Sequence, residues 1–223
     1  MGLHAVLLPA SKPALLISQG KQMSLEENLA KLSEYDFIVA IDASGSMSTE
    51  DVKGRSRWAT MQETAEAFCR DLNKIDSDGL GLVVFSGSNV ESFDGVTPDK
   101  ISEVFRNRSP RGSTPLAEAL TAALKLAGKS DKKNFIIIFT DGVPDDKAAA
   151  AKVIREQSNK QSADDELTFL FVQVGYDASA TKYLQMLDDD LTGCKFDIVD
   201  AKTIDEAEKF ATTVDLVIAA IAD

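Results

Sequence analysis

A chain of 223 residues with 44% apolar content is long enough for one α/β domain that covers its own core without disulfide support. Its formal charge of −12 repels phosphate backbones and no basic, aromatic-bearing stripe offsets it, which argues against a nucleic-acid partner. The two cysteines, Cys69 and Cys194, stand far apart with no paired spacing, so both read as reduced thiols and neither a zinc site nor a disulfide framework is indicated.

Residues 1–34 read as an N-terminal extension without an assignable role. Its apolar runs, His4 to Leu8 and Ala14 to Ile17, are broken by Pro9, Lys12 and Pro13 and follow no basic region, which argues against a signal peptide. No stretch approaches the roughly twenty apolar residues of a membrane span. The expected setting is therefore cytoplasmic, with no membrane partner. Ser24 and Glu27 form a capping box that starts a short helix, with Leu25, Leu29 and Leu32 on one face.

Residues 35–223 alternate short β-branched runs with longer helical patterns, the signature of an α/β fold built on a parallel sheet. Strands are predicted at Asp36 to Asp42, Gly79 to Ser86, Asn134 to Asp141, Leu167 to Gly175 and Lys195 to Val199. A short run at Val90 to Phe93 follows the second closely enough to pair with it as an antiparallel edge strand. Helices are predicted at Arg57 to Ile75, Pro98 to Asn107, Pro115 to Ala127, Pro144 to Asn159, Ser179 to Leu187 and Ile204 to Ala222. Thr97-Pro98 and Thr114-Pro115 each place a capping hydroxyl before a proline at the first helical position, and Thr203 with Glu206 reads as a capping box.

The strand ending in Asp42-Ala43-Ser44-Gly45-Ser46 and the strand ending in Thr140-Asp141-Gly142 open onto the same carboxyl edge of a doubly wound sheet, where ligands bind. Thr114, at the head of a helix after a glycine-bearing loop, faces the same crevice. Two carboxylates, Asp42 and Asp141, and three hydroxyls, Ser44, Ser46 and Thr114, thus make an all-oxygen set of the kind small hard cations select. With neutral hydroxyls supplying much of the shell, a bound ion stays electrophilic and attracts a further carboxylate. Five of the chain's arginines, Arg55, Arg57, Arg106, Arg108 and Arg111, fall in the two segments flanking this set.

Asp-x-Ser-Gly-Ser-Met after a strand, Gly-Ser-Thr-Pro-Leu before a helix and Phe-Thr-Asp-Gly after another strand resemble, in order and spacing, the metal-ion-dependent adhesion site of the von Willebrand factor A family, and most of all its intracellular prokaryotic members. The resemblance covers about residues 35–220 and implies a six-stranded, mostly parallel, Rossmann-like sheet with helices on both faces and the metal site on top. It implies that Ser44, Ser46 and Thr114 touch the ion, that Asp42 and Asp141 act partly through water, and that a partner's Asp or Glu completes the shell. Magnesium is the implied ion, with manganese or calcium able to replace it. Some adhesive relatives carry a second cation site on adjacent acidic residues; Glu50 and Asp51 fall about one position late for that pattern.

The expected function is cation-dependent protein recognition within a multi-protein assembly, with Arg55, Arg57, Trp58, Arg108 and Arg111 as candidate partner contacts. Two alternatives stand beside it: a metal-dependent phosphohydrolase, and a scaffold whose metal is only a structural staple. Against catalysis, the acid/base aspartate that phosphohydrolases place two residues after the nucleophile is Ser44 here, and the sole histidine, His4, lies in the extension. Gly128-Lys129-Ser130 lacks the first glycine of a phosphate loop, with Ala123 in its place.

Overall fold

The computed structural model describes residues 24–76, 78–129 and 131–222. A helix, α1 (Leu25–Leu32), opens on the expected reciprocal capping box between Ser24 and Glu27. It buries Leu32 but leaves Leu25 and Leu29 exposed, so only part of its apolar face is covered. The predicted runs of the extension before Ser24 lie outside the described residues.

The sheet has six strands in the order β3-β2-β1-β4-β5-β6. Its members are β1 (Tyr35–Asp42), β2 (Leu80–Ser86), β3 (Asn89–Val96), β4 (Lys133–Thr140), β5 (Leu167–Gln173) and β6 (Val199–Thr203). All pairings are parallel except β2 with β3, which form the anticipated antiparallel edge. The helices are α2 (Arg57–Leu72), α3 (Pro98–Arg106), α4 (Leu116–Ala127), α5 (Lys147–Lys160), α6 (Ala178–Asp189), α7 (Ile204–Ala207) and α8 (Thr213–Ile221).

Strand periodicity explains the layers. In β1, Phe37, Val39 and Ile41 join one core with α1, α2, α3, α7 and α8, while Ile38 and Ala40 join the other with α4, α5 and α6. In β4, Phe135, Ile137 and Phe139 take the first side and Ile136 and Ile138 the second. Both faces are buried, which is why these strands read as continuous apolar runs instead of alternating ones.

Two predicted elements differ from the structure. The last strand lies at Val199–Thr203, not Lys195 to Val199. Phe196 is held at its backbone N–H and carbonyl by Ser158 Oγ, 2.9 and 2.8 Å away, and Lys195 Nζ donates to the Gln161 carbonyl, so this apolar run is a connector pinned to the end of α5. The last helix is two helices, because Thr212 caps a new start by accepting from the Asp215 N–H at 3.1 Å. A smaller shift affects α4: Pro115 is its cap and Leu116 its first residue, which leaves Thr114 in the preceding loop.

Phe139 is fully buried and stacks edge-on to Phe68 of α2, with ring centroids 5.6 Å apart. Phe139→Ala is expected to destabilise the fold by ~3–5 kcal/mol, read as a lower urea midpoint with an unchanged slope.

Candidate metal centre

The carboxyl ends of the central strands β1 and β4 set the site's geometry. Beyond β1 the chain turns through Ala43 and Ser44 into a 3-10 turn, Gly45–Ser48. The loop before α4 is laced to this turn: the Arg111 N–H donates to the Ala43 carbonyl at 2.9 Å, and the Gly45 N–H to the Gly112 carbonyl at 2.9 Å. A Cβ at Gly45 would stand 3.4 Å from that carbonyl, in van der Waals contact with the facing loop. The five predicted ligand residues are thereby carried on three neighbouring segments. Asp42, Ser44, Thr114 and Asp141 are all buried.

Three of the oxygens form a chain. Ser44 Oγ lies 3.1 Å from Ser46 Oγ, and Ser46 Oγ donates to Asp141 Oδ1 at 2.7 Å. Ligand oxygens around an octahedral magnesium at about 2.1 Å stand about 3.0 Å apart along an edge. The spacing therefore suits a small hard cation. Thr114 is oriented through its backbone, its N–H donating to Asp145 Oδ1 at 3.1 Å and its carbonyl accepting from the Asp145 N–H at 3.0 Å.

Asp42 is fully buried, and its two oxygens accept from neutral donors, the Ser44 N–H at 2.8 Å and the Thr140 hydroxyl at 2.7 Å. Burial pushes its pKa up from the ordinary 3.8 to about 7, against the lowering effect of those hydrogen bonds. A carboxylate so poorly compensated fits a site that receives a cation. Thr140, the first residue of the Thr-Asp-Gly turn, is thus part of the site, although its motif position alone assigned it no role.

The candidate partner contacts fall into different environments. Arg55 is exposed and paired with Glu63 at 2.6 Å, and Arg108 is paired with Glu91. Trp58 is half-buried and tilts against Phe105 with ring centroids 4.8 Å apart, so it packs α2 onto α3. Arg57 points inward, donating to Asp141 Oδ2 at 2.8 Å and to Asp51 Oδ1 at 3.0 Å. Arg111 is exposed and has no ion pair among the described residues. Tyr176, just past β5, is an exposed aromatic that sequence reasoning did not single out; no pattern in its neighbours marks it.

One other acidic group, Asp36, Asp76 and Asp78, brings oxygens within 4.8 Å of one another at the opposite, amino end of the sheet. Lys132 Nζ already sits there, 2.9, 3.1 and 3.7 Å from the three carboxylates. An ammonium therefore already stands among these carboxylates and offsets part of their charge.

A family model for the von Willebrand factor type A domain matches residues 37–143, from β1 to just beyond the Thr140-Asp141-Gly142 turn. Solved structures share the fold. The VWA domain of SpRpn10 aligns with TM-score 0.54 at 10% identity, over 82% of this chain and 93% of that one. The chain contains a von Willebrand factor type A domain. Manganese-loaded TRAP from Plasmodium vivax aligns with TM-score 0.51 at 18% identity, over 78% of this chain and 71% of that one. A PilB minor pilin variant from Streptococcus sanguinis gives TM-score 0.61 at 14% identity over 84% of this chain, which spans only 60% of the pilin's length. No curated protein matches the sequence. Von Willebrand factor A domains are in general protein-recognition modules, often dependent on a divalent cation. No helix among the described residues is long and apolar enough to cross a membrane.

The raised pKa of Asp42 has a definite sign. In the unfolded chain the group ionises near its ordinary 3.8, whereas the folded protein keeps the proton to about 7, so metal-free stability falls as pH rises between those values. Asp42→Asn removes that penalty. In chelator at pH 8 it is expected to melt several degrees (~5 °C) above wild type, and at pH 4.5 the gain largely disappears; differential scanning fluorimetry reads both, and an equal gain at the two pH values contradicts the assignment.

Proposed function

We propose that this von Willebrand factor A domain, residues 35–223 with residues 1–34 as an extension, is a divalent-cation-dependent protein-recognition module within a multi-protein assembly. Asp42, Ser44, Ser46, Thr114 and Asp141 would hold the ion, magnesium in the cell with manganese or calcium able to replace it. When bound, the ion supplies a Lewis-acidic position for an exposed Asp or Glu of a protein partner. The observation that carries the reading is the chain of oxygens from Ser44 through Ser46 to Asp141 at octahedral-edge spacing beside the uncompensated Asp42. The manganese-loaded TRAP neighbour shows that the fold accommodates a divalent ion.

The chain's own residues prepare the site for an acidic ligand. Arg111 stands exposed on the loop bonded to Ala43, next to a depression lined by Ser86, Asn89, Glu91 and Arg108. Exposed ion pairs such as Arg55–Glu63 contribute little stability, so a partner can open them at small cost. The free thiols of Cys69 and Cys194 are in keeping with a cytoplasmic setting.

Recognition is favoured over phosphoryl transfer by the state of Asp42. Both its oxygens are engaged in the protein interior, and Ser44 occupies the position of an acid/base aspartate. The scaffold alternative is separable by experiment. Asp42→Ala and Thr114→Ala are each expected to cut magnesium-dependent capture of an acidic protein partner by at least ~tenfold while leaving the circular dichroism spectrum of the fold intact. Capture that persists in EDTA, with only the melting temperature responding to magnesium, would mean a structural metal instead.

A further inference from the structure

Arg57 is the first residue of α2 and is anchored there by its N–H donating to the Thr49 carbonyl at 2.9 Å. Its side chain is only 10% exposed, yet it carries a full charge, and that charge is divided between two carboxylates. Nη1 donates to Asp141 Oδ2 at 2.8 Å, while Nε and Nη2 grip Asp51, which the Tyr176 backbone also helps to hold ionised. Asp141 is therefore spanned on both sides: one oxygen takes the Ser46 hydroxyl, the other the guanidinium.

The fold leaves a slot for this side chain. Gly175, two residues past β5, has φ +90°, and a Cβ there would stand 2.3 Å from Arg57 Nε and 2.9 Å from both Cδ and Cζ. Three segments of the carboxyl edge, after β1, β4 and β5, thus close around one guanidinium. Its carboxylate partners hold it charged well above the ordinary arginine range. Glu50 and Asp51 fall about one position late for the second cation site of adhesive relatives, and here an arginine already occupies the oxygens of Asp51.

Resting on the metal-site reading above, we propose that Arg57 is a built-in second cation of the site, a positioning residue that makes binding of the free ion weak and binding of the ion together with an acidic ligand strong. A divalent ion beside Asp42 and Asp141 is neutralised by them, and Arg57 with Asp51 forms a neutral pair whose positive end is bonded to Asp141. Like-charge repulsion lowers affinity for the ion alone, and the positive field of that end draws an incoming carboxylate. Asp51 takes three of the guanidinium's hydrogen bonds on the outer side and offsets part of that field, while the bond from Nη1 to Asp141 keeps the positive end on the side of the site. Ion and carboxylate then bind with positive coupling, and each raises the affinity of the other.

The test uses the full chain, Mn2+ as the ion and acetate as the carboxylate, with free Mn2+ read by electron paramagnetic resonance. Arg57→Gln, which keeps a hydrogen-bond donor and loses the charge, is expected to bind Mn2+ about tenfold more tightly than wild type and to show a smaller tightening by acetate than wild type does. Arg57→Lys keeps the charge and is expected to retain both the weaker Mn2+ binding and the acetate coupling. Gly175→Ala, which fills the slot and displaces the guanidinium, is expected to shift Mn2+ affinity in the same direction as Arg57→Gln. The proposal is overturned if wild type binds Mn2+ but Arg57→Gln binds it equally or more weakly, or if Arg57→Lys behaves as Arg57→Gln does, since a merely structural role loses both affinities together. A distinct result, Mn2+ binding that is absent from wild type even in acetate, or unaffected by Asp42→Ala, overturns the metal-site reading and this inference with it.

Discussion

A carboxylate at the end of a central strand, walled off from water on every side, must be balanced by whatever the fold sets against it, and Asp42 is given neutral donors, from Ser44 and the Thr140 hydroxyl. Neutral hydrogen bonds do not replace the hydration of a full charge. The raised pKa expresses that shortfall. Around Asp42 stand three hydroxyls and one further carboxylate, Asp141, and the loop before α4 is fastened against the 3-10 turn by backbone hydrogen bonds.

The two ends of the sheet treat acidic residues in opposite ways. At the amino end, Asp36, Asp76 and Asp78 converge on Lys132, an ammonium of the protein itself that offsets part of their charge. At the carboxyl end, Arg57 satisfies one oxygen of Asp141 and both of Asp51, but Asp42 has no such partner. Positive charge is therefore supplied to one side of the crevice and withheld from the other. On the proposed function, that asymmetry is what would leave Asp42 for an outside cation and set a positive group beside an acidic ligand.

Much of this was legible in the sequence because its physics is local. Runs such as Phe37 to Ile41 and Phe135 to Phe139 are apolar at every position, which only a strand covered on both faces requires, and the capping boxes at Ser24 and Thr203 are written in adjacent residues. Errors arose where a local signal competed with a distant one. Lys195 to Val199 has the composition of a strand, yet Ser158 and Gln161 hold its first half as a connector, and the paired strand is the more polar segment that follows. Thr212 and Asp215 carried a second helix start inside what periodicity read as one helix.

The same division holds at the site. The sequence by itself determined the fold class, and it named five oxygen-bearing residues at strand ends and turns, positions that short-range pattern sets. Only the tertiary structure decided what each charge faces. Arg57 and Arg111 look alike in the sequence, as arginines near a crevice; one is buried between Asp51 and Asp141 in a slot opened by Gly175, and the other stands exposed. Burial and pairing depend on segments more than a hundred residues apart, and electrostatic energy depends on that environment far more than on the residue's type.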